Sequence, residues 1–334
     1  MKTNDNQRGA ALLTTLLIMA VMAALSVAIV DDVRFALKRA ANVQSYAQAD
    51  WYLLGAEDFA RQYVQTQVRT QSPQVLNAAL SKPKPLIFPV EGGRMKVRIR
   101  DGGSCFSLGE LADVQGIGRP QGQKRFAKLL GFLGWGNGAA THLAATATDW
   151  VDRDFQAQSH GAEDYAYLGL SSAHRTANTA FTSTDELRAL QGMDEAGFQA
   201  LLPYVCARPL GTLSQINING LTLAYAPLLA AFLGQKQPLL TAQRLIGERP
   251  QNGYQTMDQL RAAPALKEHD VKNAALGQID FKPVYFWVEV TVELGPLRRF
   301  GAFAYAITPS GRVVRSYRRY GEEAFWPTAQ AKSS

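Results

Sequence analysis

The chain has 334 residues, a formal net charge of +7, 47% hydrophobic residues and 19% charged residues. Such a composition builds a large core and excludes wholesale disorder, while the basic excess permits an anionic partner such as nucleic acid or a lipid surface. The basic residues are spread out, with one local crowd at Arg312, Arg315, Arg318 and Arg319 that reads as a solvated strand face, and neither Cys105 nor Cys206 sits in a CxxC or in a cysteine–histidine set with zinc spacing.

A short polar leader containing Lys2 and Arg8 ends at Gly9, and Ala10 to Val30 follows without a charged residue. As a helix this run is roughly 31 Å long, which matches a bilayer core of about 30 Å. It is longer than the ~7–15-residue apolar region of a secretory signal, and Asp31-Asp32-Val33-Arg34 stands where a small-residue cleavage site would be expected. The run therefore reads as a retained anchor. The positive leader places the N-terminus in the cytoplasm and sends the body outward across the membrane. Between Asp31 and Val68 there is no proline and one glycine, Gly55. Leu37, Ala40, Ala47, Trp51 and Leu54 recur at helical spacing, so the anchor is expected to continue as one amphipathic rod.

Proline-rich Ser81 to Pro89 reads as a loop. Met95, Val97 and Ile99 alternate with Lys96, Arg98 and Arg100, and Phe286, Val288, Val290, Val292 and Leu294 alternate near the other end. After a turn at Gly295-Pro296, further strands are expected over residues 299–307 and 312–320. The middle reads helical over 125–133, 139–150, 184–190, 195–205, 221–233 and 239–247, with glycine and proline at the joins. The fold class is α+β: a long N-terminal helix and an antiparallel sheet interrupted by a large helical insertion. The segments are a leader (1–9), a transmembrane helix (10–30), a helix with the first strand (31–106), the insertion (107–280) and the C-terminal strands (281–334).

Asp149-Trp-Val-Asp-Arg-Asp154, followed by Glu163-Asp164, packs five carboxylates close together. Such a group repels itself unless a cation neutralises it, and hard oxygen ligands suit calcium. The same acids can equally end a helix and cap turns in a solvated loop. The pattern is not an EF-hand, because Asp152 and Asp154 continue as Phe155-Gln156. Two segments resemble helix-hairpin-helix DNA-binding modules: Val114-Gln-Gly-Ile-Gly118, and Leu213 to Gly220 with Arg249 and Gln255 to Leu260. The basic flanks such binding needs are missing around Gly234, where Gln235 and Lys236 follow, so protein packing is expected and no nucleic acid. His142, His160, His174 and His269 are scattered, with His160 a neighbour of the acidic loop. No nucleophile has a base at readable spacing, and no enzyme activity is expected.

The leader ending in Gly9, the apolar start at Ala10 and the running-on helix resemble a type IV prepilin. That resemblance implies cleavage after Gly9 by a prepilin peptidase and methylation of the new N-terminus at Ala10. Most prepilins carry a glutamate at the position of Thr14; the minor pseudopilin K branch of type II secretion characteristically lacks it. The chain resembles that branch along nearly its whole length, through Asp149-Trp-Val-Asp152, Gly161-Ala-Glu-Asp164, Arg175-Thr-Ala-Asn-Thr179, Leu201-Leu-Pro-Tyr-Val-Cys206 and Ile216-Asn-Ile-Asn219. The resemblance implies a pilin-like sheet, an inserted SAM-like helical domain and a structural role at the tip of a periplasmic pseudopilus. The implied partners are the minor pseudopilins I, J and H and the major pseudopilin G. It also implies calcium in the acidic loop, with Asp152, Asp154, Glu163 and Asp164 as ligands and Asp149 and Asn178 as further candidates. An exported body places both cysteines where they oxidise, so a Cys105–Cys206 disulfide is expected. The alternative function is a membrane-anchored DNA-uptake protein using the hairpin-like segments.

Overall fold

The computed structural model describes residues 5–81, 83–233, 237–267 and 276–321. Lys2, the hairpin at Gly234 to Lys236, His269 and residues 322–334 of the C-terminal segment lie outside them.

Helix α1 (Asp5–Thr70) is continuous, as the absence of proline dictates, and α2 (Pro73–Ser81) follows it. The sheet has the order β1 (Leu86–Val90), β2 (Gly93–Asp101), β7 (Tyr285–Leu294), β8 (Leu297–Ile307), β9 (Val313–Gly321), with every neighbour antiparallel. The chain thus leaves the sheet after β2 and returns to the adjacent position at β7. Val97 opposes Val290 and Ile99 opposes Val288. The alternation then aims Phe286, Val288, Val290 and Val292 at α1, where Ala49, Leu53, Ala56, Ala60 and Val64 are buried against them. The opposite face carries Arg94 and Lys96 on Glu293, and Arg98 and Arg100 on Glu289.

The stripe expected to face the core of α1 is corrected: Leu37, Ala40, Ala47, Trp51 and Leu54 are all exposed, Trp51 at 73%. Small alanines at spacings of three and four let the helix approach the sheet closely, so the contact face is mostly alanine and the bulky residues point outward. The segment expected as a proline loop supplies β1, an edge strand, which tolerates Pro89 because only one side of it is paired.

Between β2 and β7 lie β3 (Phe106–Ser107), α3 (Pro120–Leu133), α4 (Asn137–Val151), α5 (Asp164–Leu168), α6 (Glu195–Leu201), β4 (Val205–Cys206), β5 (Ile216–Asn217), α7 (Ala226–Leu233), α8 (Pro238–Gly247), α9 (Met257–Arg261), α10 (Pro264–Lys267) and β6 (Ile279–Asp280). The helix expected over 195–205 stops at Leu201, because Pro203 cannot continue it and Val205 and Cys206 pair with β3 instead. This insertion has its own core, with Phe106, Phe126, Leu129, Tyr167 and Phe198 fully buried. Buried Glu110 ties it together: one oxygen takes Arg125 at 2.5 Å, and the other accepts from the Ser214 amide and hydroxyl and from Gln278. The Ile216 to Asn219 box anchors the insertion to the sheet frame. Asn217 donates to Asn77 and Asp101, while Asn219 bridges Tyr254 and Phe281.

Candidate functional site

Helix α4 delivers the acidic loop. Its last turn buries Asp149 and Asp152 one above the other, and Trp150 between them stacks among Tyr167, His174 and Phe181. The aromatic packing fixes the helix end. The chain then loops back so that Glu163, just before α5, joins the pair. Ligand-type oxygens of Asp149, Asp152 and Glu163 all lie within 4.8 Å of one another, and the three residues are at most 1% exposed.

Gly161 makes this approach possible. A Cβ at that position would sit 1.8 Å from Oδ2 of Asp149, so no residue with a side chain fits. Asp149 accepts the Gln158 amide, Asp152 accepts the Gln158 side chain at 3.3 Å, and Glu163 accepts the Thr176 hydroxyl at 2.9 Å. These bonds leave Oδ1 of Asp152 and Oε1 of Glu163 buried with no hydrogen-bond partner among the described residues, and Oδ1 of Asn178 is orphaned in the same way. Asn178 adopts a left-handed backbone (φ 47°), a conformation asparagine tolerates, and its amide bonds to the Trp150 carbonyl.

Burial, reinforced by the neighbouring carboxylates, pushes Asp149 up to about 6 and Asp152 up to about 7, and raises Glu163 as well. Buried acceptors without donors, beside carboxyls driven towards their protonated form, are groups that either a proton or a cation would satisfy. The donor set is all oxygen, which fits calcium. Of the other expected ligands, Asp154 is exposed and accepts the Gln156 amide, while Asp164 takes Thr176 and lies 3.5 Å from Arg175. Neither belongs to the trio. Thr176 forms a wall of the site; its residue type alone does not single it out, although it lies within the Arg175 to Thr179 stretch.

The hairpin-like segments are internally engaged. The amides of Gln115 and Ile117 both bond to the Asp113 carboxylate and that of Gly116 to the Asp113 carbonyl, so a carboxylate fills the place a phosphate would take. Arg249 spends one nitrogen on the carbonyls of Ile218, Asn219 and Leu221. His160 bonds to Ser159, and its carbonyl meets His142. The two cysteines form a disulfide, Cys105–Cys206.

Residues 104–210 and residues 216–282 each match a family described as type II secretion system (T2SS), protein K. The type II secretion system protein K of Pectobacterium carotovorum is 34% identical over 87% of this chain and 90% of its own length. That of Klebsiella pneumoniae is 35% identical over 81% and 84%, respectively. Among solved structures, the GspK-GspI-GspJ complex of enterotoxigenic Escherichia coli contains a chain similar to this one. The TM-score is 0.74 at 27% identity, covering 85% of this chain and 100% of the other. The chain belongs to the type II secretion system protein K family.

Proposed function

We propose that this minor pseudopilin caps a periplasmic pseudopilus in complex with the I and J pseudopilins, with H and the major pseudopilin G further down the filament. The carrying observation is α1: one unbroken helix, exposed and apolar over its first part and packed on the sheet over its second. Leu12 to Val30 has no protein against it and needs lipid or a neighbouring helix as solvent. A bulky helical insertion on that rod would obstruct another subunit stacking above, which suits a terminal position. Partnership with I and J is supported by the composition of the similar solved complex. Acting as a cap requires no catalysis.

Full-length chain in detergent, mixed with the I and J subunits, is expected to co-purify with both as one complex. Failure to retain either subunit, together with salt-sensitive binding of duplex DNA, would move the reading to the DNA-uptake alternative.

The inner membrane holds the helix with its N-terminus cytoplasmic, and a prepilin peptidase cuts between Gly9 and Ala10. N-terminal sequencing of protein from native membranes is expected to start at Ala10, methylated. A start at Met1 or beyond Val30 would sink this reading.

The acidic loop holds calcium, with Asp149, Asp152 and Glu163 as the carboxylate ligands and Asn178 as a further oxygen donor. The ion supplies the positive charge that lets three buried acids ionise together. Its role is structural, fixing the link between α4 and α5.

A further inference from the structure

Where the chain crosses between sheet and insertion, the outward face of β7 to β9 and the underside of the insertion enclose a cleft of about 160 Å³. That is close to the ~150 Å³ apolar cavity known to take up benzene. Tyr225, Tyr285 and Tyr317 line it, with the Cys105–Cys206 disulfide and Arg208 on the insertion side.

Arg208 stands apart from the other well-buried arginines. Arg100 ends on Glu289 at 2.6 Å and Arg125 on Glu110 at 2.5 Å. Arg208 is 7% exposed, and among the described residues it has no ion pair. Its guanidinium lies 3.5 Å above the Tyr285 ring, and Nη2 donates to the Gly102 carbonyl and to Sγ of Cys105. Nη1 is buried with no hydrogen-bond partner among the described residues. Asp101 also lines the cleft and its charge acts on Arg208, but it makes no direct ion pair with it: its oxygens accept from the Gly103 amide and the Asn217 side chain. Burial pulls Arg208 down to about 10, so it stays charged at neutral pH. A buried charged donor with one nitrogen unmet costs stability, and an acceptor supplied from outside removes that cost.

We propose that this cleft is a carboxylate-binding site in which Nη1 of Arg208 donates to the carboxylate and the tyrosine rings hold an apolar body of about one aromatic ring. The site is separate from the acidic loop and does not depend on the capping role. A free aromatic acid and the C-terminal carboxylate of an aromatic-ended chain share this chemistry.

The test titrates 3-phenylpropionate into the full chain in detergent micelles by calorimetry, with 3-phenylpropionamide as the neutral twin. The acid is expected to bind at least tenfold more tightly than the amide, and Arg208→Gln to erase that preference. Ser316→Phe, at the exposed mouth where the hydroxyl reaches the Ala304 carbonyl, is expected to abolish binding of both while leaving the melting temperature unchanged. The peptide Gly-Gly-Phe is compared with its C-terminal amide. Tenfold preference for the free terminus assigns a chain end as the natural ligand, and binding of 3-phenylpropionate without the peptide assigns a small free acid. Equal affinity for acid and amide, no binding of either, or an undiminished preference in Arg208→Gln overturns the proposal. Should Arg208→Gln fail to fold, Arg208→Lys and Ser316→Phe decide between the same two outcomes.

Discussion

Chelating calcium is expected to lower the melting temperature of the full chain, and adding calcium back to restore it. An ion bound only by the folded state stabilises by RT ln(1 + [L]/Kd), about 2.7 kcal/mol at a hundredfold excess over Kd. For a chain of 334 residues that corresponds to a shift of about 4 °C. The motive is the trio of Asp149, Asp152 and Glu163, buried and within 4.8 Å, with two oxygens that have no hydrogen-bond partner among the described residues. Magnesium is the control, because its small octahedral shell fits three fixed carboxylates poorly. Equal melting in calcium and chelator would return the loop to a set of turn caps. An equal shift with magnesium would leave a cation site without the calcium assignment.

The pH dependence has a definite sign. Asp149 and Asp152 are raised to about 6 and about 7 from an ordinary value near 3.8, chiefly by burial. The ion-free fold therefore holds protons that the unfolded chain has already released. Below about pH 4 both states are protonated and the loop is neutral in its effect. From there to about pH 7 the ion-free protein loses stability as pH rises. Calcium needs the ionised carboxylates, so its stabilisation grows across the same window and the two melting curves diverge upward in pH. Asp152→Asn removes one charge from the trio. It is expected to melt higher than the natural chain in chelator and lower in calcium, a reversal that a solvated loop would not give. Gly161→Ala forces a Cβ onto Asp149 and is expected to abolish the calcium response.

The frame was legible because its physics is local. An uninterrupted apolar run followed by a proline-free stretch dictates α1, alternation dictates β2 and β7, and the turn at Gly295-Pro296 sets off the strands that follow. Which side of α1 faces the sheet was not legible: the apolar periodicity of Leu37, Trp51 and Leu54 is real, yet closeness of approach decides the contact, and alanine allows it. Strand β1 was hidden by its prolines, which argue against a strand unless one knows that it lies at an edge. In the acidic loop, the types and spacing of residues pointed to the segment that brings Asp149, Asp152 and Glu163 together. Choosing Asp149 over Asp154 and Asp164 depended on helix phase. Asp149 in the last turn of α4 and Asp152 at its C-cap are three apart and turn inward together, whereas Asp154 lies further past the helix end. Arg208 offered no signal at all, since a lone arginine acquires meaning only from the partner that its fold withholds.

Replacing both cysteines, as Cys105→Ser with Cys206→Ser, is expected to cost about 3–5 kcal/mol and to lower the melting temperature by on the order of 10 °C. The bond spans a sequence separation of 101 residues, for which chain-entropy reasoning gives about 4.7 kcal/mol. It closes the place where the insertion is joined to the sheet frame. Phe106 pairs with Val205 and Ser107 with Cys206 in a two-residue ladder too short to hold by itself, and both sulfurs are nearly buried. In unreduced, denatured protein neither thiol is expected to react with a maleimide; labelling at both would refute the pairing in the native compartment. The disulfide and the acidic loop share no hydrogen-bonded residue, so losing both is expected to add to within about 0.5 kcal/mol. A calcium-induced shift that disappeared in the serine double variant would instead mean that the disulfide positions α4.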